Sequence, residues 1–140
     1  MLRRAIPLLC LLALGVAACG GSDADDARKA AQTYVGDLGS RDGKAVCADM
    51  TKALQRRFTT AVVRANPTTR GRSCASLMGE ALSSIPASQL KRFAGAKIDS
   101  VQVKGSGGTF VYRLGSIKVD GQVAKENGAW KVSCCVPGQG

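Results

Sequence analysis

Residues 109–136 decide the fold of this chain, and they read TFVYRLGSIKVDGQVAKENGAWKVSCCV. β-Branched and aromatic residues are frequent in this stretch, which is typical of strands. Asp120-Gly121 and Asn127-Gly128 are dipeptides that favour two-residue hairpin turns. We therefore predict two hairpins at these dipeptides, joining strands over 109–119, 122–125 and 129–136.

The sequence before this stretch adds a fourth strand and a helical first half. Residues 96–104 are rich in β-branched positions and end at a glycine-rich turn over 105–108. Further upstream, apolar residues recur every three or four positions, which predicts three helices. Thr51 marks a break inside the second of them, and residues 88–93 can add one further turn. Helices followed by strands indicate an α+β fold, with about three N-terminal helices packed on a four-stranded antiparallel meander.

The start of the chain has the parts of a secretory signal peptide. Arg3 and Arg4 precede an uncharged, mostly apolar stretch over 5–18. That stretch is shorter than the roughly 20 residues of a membrane-spanning helix. Val16-Ala17-Ala18-Cys19 resembles the lipobox of bacterial lipoproteins, which implies cleavage before Cys19 and lipid attachment to its thiol. Two acyl chains would hold the protein firmly at a membrane. The alternative is ordinary secretion, with Cys19 an incidental thiol.

These features predict the domain organisation and the location. The expected parts are a signal peptide over 1–18, a lipidated tether over 19–23, one domain over 24–136 and a tail over 137–140. The expected location is the extracytoplasmic face of the cell membrane. In a Gram-negative host it would be the outer membrane, because Gly20 instead of aspartate follows the cysteine.

The charge of the chain favours anionic partners. It has 20 basic and 10 acidic residues and no histidine, for a net charge of +10. Lipid headgroups and cell-wall polymers fit this excess. Nucleic acid does not, because the chain is predicted to be exported and its basic residues are not interleaved with aromatic ones. Arginines near the second helix and its exit loop are the candidate contacts, unless they form an ordinary solvated surface: Arg56, Arg57, Arg64, Arg70 and Arg72.

Several features together resemble the NTF2-like superfamily, and above all the small exported NTF2-like lipoproteins of bacteria. They are a long amphipathic first helix, the turn Arg41-Asp42-Gly43-Lys44, a cysteine in the second helix and a meander ending in Asn127-Gly128-Ala129-Trp130-Lys131-Val132. The resemblance covers residues 24–136, and it implies a cone in which a bent sheet wraps around helices, often around a cavity. Since the early strand pair of larger members is missing, another α+β fold stays open. The candidate cavity-lining residues, which core packing would equally explain, are Tyr34, Phe110, Tyr112 and Trp130.

Four cysteines follow the anchor, namely Cys47, Cys74, Cys134 and Cys135. Disulfides persist outside the cell, and four cysteines allow three pairings. Lipoproteins of the resembled type commonly pair cysteines on successive helices, which implies a bond between Cys47 and Cys74. Crossed pairings with Cys134 and Cys135, and free thiols, stay open.

The sequence shows no catalytic constellation. Histidine, the commonest general base, is absent, and there is no nucleophile elbow, phosphate loop or Cys-x-x-Cys spacing. We therefore predict no cofactor, no metal and no enzymatic activity, and expect a tethered binding or accessory module. One alternative is an NTF2-like enzyme that acts on a small apolar substrate, for which Asp99 is the candidate acid. Another is a structural envelope protein that forms a homodimer through its open sheet face.

Overall fold

The computed structural model describes residues 22–134, so the predictions about the signal peptide, Cys19, Cys135 and the tail lie outside the described residues. The described chain has an α+β fold, as predicted. Its helices are α1 (Asp23–Ser40), α2 (Gly43–Asp49), α3 (Lys52–Ala65), a short 3-10 helix (Pro67–Thr69), α4 (Cys74–Ser83) and α5 (Ala87–Ala94). Its strands are β1 (Ile98–Lys104), β2 (Gly107–Leu114), β3 (Ile117–Glu126) and β4 (Ala129–Cys134). Among these residues, no helix is both long and apolar enough to cross a membrane.

The prediction of about three helices is wrong, since the described chain has five α-helices. The second predicted helix is divided at Met50, whose extended backbone pairs with Val132 of β4. Thr51 then caps the start of α3, where its hydroxyl accepts a hydrogen bond of 3.2 Å from the Leu54 amide. The turn expected over residues 88–93 is part of α5, which is held to the core by buried Leu90.

The sheet is antiparallel with strand order β1-β2-β3-β4, but one predicted turn is wrong. The chain turns between β2 and β3 at Gly115, which has a φ of +64°. Gly121 lies inside β3 opposite Phe110, and a Cβ there would collide with the Phe110 ring. The glycine of Asp120-Gly121 therefore makes room for an aromatic ring instead of making a turn.

The hairpin predicted at Asn127-Gly128 is confirmed. Asn127 and Gly128 have φ values of 52° and 79°, and Glu126 pairs with Ala129 across the turn. Two successive residues with positive φ are what a tight hairpin turn of this kind requires.

Helix α1 is fixed to the start of β1 by side-chain hydrogen bonds. The Gln32 amide donates to the Ala96 carbonyl at 2.8 Å and accepts from the Ile98 amide at 3.1 Å. Arg28 donates to the Ile98 carbonyl at 2.6 Å. The apolar face of α1 is buried in the core and consists of Ala27, Ala31, Tyr34, Val35 and Leu38. These contacts fix the position of α1 relative to β1.

A disulfide joins α2 to α4. Cys47 and Cys74 are bonded, with their Cα atoms 6.2 Å apart. This agrees with the pairing implied by the resemblance and excludes crossed pairings of these two residues. The two helices are also in close contact, because Gly43 lies against the backbone of Gly79. Cys134, at the end of β4, is disulfide-bonded as well.

The β3–β4 hairpin holds the first residues of both α1 and α3. Asp23 accepts a 2.7 Å hydrogen bond from Lys125 Nζ and a 3.3 Å hydrogen bond from the Trp130 indole. The next residue, Glu126, accepts a 2.9 Å hydrogen bond from the Lys52 amide at the start of α3. We call this region, defined by these five residues, the hairpin end of the domain.

Candidate functional site

Two aspartates lie together where α1 passes the end of α2. Asp37 is in the last turn of α1, and Asp49 is the last residue of α2. Both are half-buried, and Asp37 is one of the groups that raise the pKa of Asp49. Neighbouring carboxyl groups raise each other's pKa because two like charges repel. Asp49 Oδ2 is buried and has no hydrogen-bond partner among the described residues.

The surroundings of Asp49 favour its protonated form. Burial, and then the hydrogen bond with Asp37 and the Asp37 charge, raise the pKa of Asp49 to about 7. Lys131 lowers the pKa of Asp49 in part, although its Nζ donates to the Ala48 carbonyl at 2.7 Å. Asp49 therefore loses its proton near neutral pH.

Two buried tyrosines interact electrostatically with each other, and one of them also with Asp49, and we call these tyrosines and the carboxyl pair the polar cluster. Tyr34 of α1 and Tyr112 of β2 are 1% and 2% exposed, and neither hydroxyl has a hydrogen-bond partner among the described residues. Burial raises the pKa of both, that of Tyr112 to about 12. Electrostatic interactions with Tyr112 and Asp49 further raise the pKa of Tyr34.

A groove of about 300 Å³ lies between α1 and the β3–β4 hairpin, and we call it the α1 groove. Its lining residues are Asp26, Lys29, Ala30, Thr33, Asp49, Gly128, Ala129 and Trp130. Asp49 lines this groove and also contacts Asp37, so it joins the solvent-facing groove to the polar cluster.

The four predicted cavity-lining residues are buried in one apolar core. Phe110 and Tyr112 stack there with ring centres 6.0 Å apart. Trp130 lines the α1 groove with part of its ring, whereas Tyr34 lies deeper. A cavity lined by all four stays a prediction. Asp99, the candidate acid of the enzyme alternative, forms a 2.9 Å ion pair with Arg113.

The exposed side of α3 carries a second groove, of about 480 Å³, which we call the α3 arginine groove. It is lined by Ala53, Arg56, Arg57, Thr60, Ala61 and Arg64, so small side chains separate the arginines. The structure thus brings together Arg56, Arg57 and Arg64 of the predicted anionic contact. Arg57 also donates to the Ser133 carbonyl at 3.0 Å.

The two other predicted arginines lie elsewhere. Arg72 forms a 2.6 Å ion pair with Glu80 and donates to the Ser76 hydroxyl at 2.9 Å. Arg70 is exposed and follows the 3-10 helix. Neither lines the α3 arginine groove.

Asp49→Asn is expected to change how stability depends on pH. The carboxyl keeps its proton up to about pH 7 when folded but has an ordinary pKa of 3.8 when unfolded. The free energy of unfolding therefore falls as pH rises through this window, and this fall is absent in the variant. Because solvent reaches Asp49, the variant should be about 1 kcal/mol more stable than the wild type at pH 8, with little difference at pH 4. Urea unfolding at both pH values measures this.

The matched control for this experiment is Asp120→Asn, which changes an exposed carboxyl on β3. Its stability should follow the wild-type pH profile. Parallel profiles for wild type and Asp49→Asn would contradict the raised pKa of Asp49.

Within the described residues, no group of three or more His, Cys, Asp or Glu side chains is arranged to hold a metal ion. Comparison of the chain with protein-family models, with curated proteins and with solved structures found no match. The described residues form two candidate sites, namely the α1 groove with Asp49 and the α3 arginine groove.

Proposed function

We propose that the chain is a lipid-anchored, non-enzymatic module on the outer face of a membrane, and that its α3 arginine groove contacts an anionic surface. Lipid on Cys19 would provide the anchor. We further propose that the domain is an NTF2-like cone. The helices, the antiparallel meander and the Asn127-Gly128 hairpin support that assignment.

The position of α1 supports contact with the membrane surface. Ser22 caps α1 and Asp23 begins it, although Asp23 was predicted to belong to the tether. Only Gly20, Gly21 and Ser22 then separate Cys19 from the helix. An extended chain spans at most about 3.5 Å per residue, so the start of α1 would lie no more than about 14 Å from the lipidated residue.

The main support for the anionic contact is the hairpin end, because it places the start of α3 beside the start of α1. Lys125 binds Asp23, and its neighbour Glu126 binds the Lys52 amide. An anchor before α1 would therefore bring the first turns of α3 to the same side of the domain. Arg56 and Arg57 lie in those turns, where each base near an anionic membrane contributes about 1 kcal/mol.

Replacing the groove arginines by glutamine tests the anionic contact. The chain beginning at Gly20, without lipid, is expected to sediment with phosphatidylglycerol vesicles and not with phosphatidylcholine vesicles. The triple variant Arg56→Gln, Arg57→Gln, Arg64→Gln should lose binding by on the order of tenfold or more. Raising the salt concentration should weaken wild-type binding, because the contact is electrostatic.

A second triple variant controls for net charge. Lys91, Lys97 and Lys118 are exposed and lie outside the groove, and their replacement by glutamine removes the same charge. Retained binding in this control, with loss in the arginine variant, supports the groove. Equal loss in both variants would show that net charge alone causes binding and would contradict the proposal.

A further inference from the structure

We propose that the α1 groove is a binding site for a small organic amine, with Asp49 accepting the ammonium group and Trp130 contacting the apolar part. This site is separate from the α3 arginine groove and does not depend on the proposed anionic contact. It lies between α1 and the β3–β4 hairpin.

The local charge supports a cationic ligand in a chain that is basic as a whole. Six of the ten acidic residues lie between Asp23 and Asp49. Asp26 and Asp49 line the α1 groove, and Asp37 interacts with Asp49 strongly enough to raise its pKa. The cations nearby are Lys29 in the groove lining, Lys125 beside the Trp130 ring, and Lys131. Lys125 is paired with Asp23, and Lys131 Nζ donates to the Ala48 carbonyl.

Unpartnered polar atoms inside the cluster point to a missing donor. Asp49 Oδ2 and the Tyr34 hydroxyl are buried without a hydrogen-bond partner in the described chain, and Tyr34 is only 1% exposed. The Asp49 charge also raises the pKa of Tyr34, so the two side chains interact electrostatically. Buried polar atoms are costly when unpaired, and an ammonium group offers three donors and no acceptor. In the α1 groove it would donate to Asp49, which lines the groove.

The size and lining of the groove limit the ligand to a small molecule with an apolar body. About 300 Å³ is at the lower end of the range for ligand sites. The apolar wall consists of Ala30, Ala129 and the Trp130 ring. Lys125 Nζ already lies 5.4 Å from the centre of that ring, so the ring is in an arrangement that accepts a cation. An amine that carries one ring fits these dimensions.

Trp130 is the only tryptophan in the chain, so its fluorescence reports directly on the groove. The full chain in non-ionic detergent at pH 8 is titrated with phenethylamine and, separately, with 2-phenylethanol. We expect a saturable change with the amine and at least about tenfold weaker binding of the alcohol, because a hydrogen bond to a charged group is lost. The alcohol enters micelles more readily than the ammonium ion, so a stronger response to the amine cannot arise from the detergent.

Three variants locate the binding. Asp49→Asn should weaken amine binding at least about tenfold by removing the charged acceptor. Thr33→Arg should block the groove from the exposed face of α1 without altering the carboxyl pair. Asp120→Asn, which changes an exposed carboxyl outside the groove, should bind as the wild type does. Circular dichroism establishes that each variant is folded.

Three results would overturn the proposal. One is the absence of a saturable response to the amine, or an equal response to the alcohol. Another is amine binding of wild-type strength in both the Asp49→Asn and the Thr33→Arg variant, with both variants folded. The third is the same fluorescence change with calcium chloride alone, which would assign the groove to a metal ion.

Discussion

Replacing Cys19 by serine is expected to release the chain from the membrane. The proposed anchor is a thioether between this cysteine and diacylglycerol, and serine cannot form it. Each methylene of an acyl chain buried in the bilayer contributes about 0.8 kcal/mol to membrane binding. Loss of the acyl chains should therefore abolish retention at the membrane and not merely weaken it. Partitioning of the full chain between detergent and aqueous phases after expression in a bacterium measures this.

Cys10→Ser is the matched control, because Cys10 lies in the predicted leader and has no role in lipid attachment. This variant should partition into the detergent phase as the wild type does. The anchor is wrong if Cys19→Ser stays in the detergent phase. Release of both variants would point instead to a general effect on export.

Breaking the bond between Cys47 and Cys74 is expected to have the largest effect on stability. The bond closes a loop with a sequence separation of 27 residues. A loop of this length contributes roughly 3–4 kcal/mol, mainly by restricting the unfolded chain. Small domains have only about 5–15 kcal/mol of total stability, so the loss is a large share. Urea unfolding of the double variant Cys47→Ala, Cys74→Ala measures it.

A reducing agent distinguishes the contribution of this bond to stability from that of the bond at Cys134, which is also disulfide-bonded. Adding the agent to the double variant shows the effect of the remaining bond, because the bond between α2 and α4 is already absent. The prediction would be contradicted if the free energy of unfolding of the double variant lay within about 1 kcal/mol of the wild-type value, which is roughly a fivefold change in the folding equilibrium.

The two hairpin signals show how far local sequence determines this fold. Asn127-Gly128 makes a turn because both residues adopt positive φ and the strands end there. Asp120-Gly121 has the same chemistry but continues β3, since Gly121 makes room for the Phe110 ring on the neighbouring strand. That ring comes from another strand, so the dipeptide alone cannot distinguish the two outcomes.

The helix pattern had a similar limit. Apolar spacing predicted the region around Met50 as helix, and Thr51 was correctly marked as a break. The break is stabilised by pairing with Val132, which is distant in sequence. Local periodicity cannot detect such a contact, so the predicted number of helices was too low.

The carboxyl pair was not predicted, although the sequence carried a signal for it. Acidic residues are concentrated between Asp23 and Asp49 in a chain that is otherwise basic. What the sequence could not show is that the last turn of α1 meets the end of α2, because this contact depends on the packing of the two helices. The arginines of α3 were predicted because arginines are clustered in the sequence around one helix and its exit loop. That clustering could not separate Arg56, Arg57 and Arg64, which line the groove, from Arg70 and Arg72, which do not.

The attachment of α1 has a mechanical consequence. With a lipid on Cys19, any force that separates the membrane from the domain would enter at Asp23 and pull along α1. The bonds from Gln32 to β1 and from Asp23 to Lys125 would resist it first. The bond between Cys47 and Cys74 lies beyond α1 in the chain and would not bear this tension. Pulling on the anchor would therefore peel α1 from the sheet and separate Asp37 from Asp49 before the rest of the domain yields.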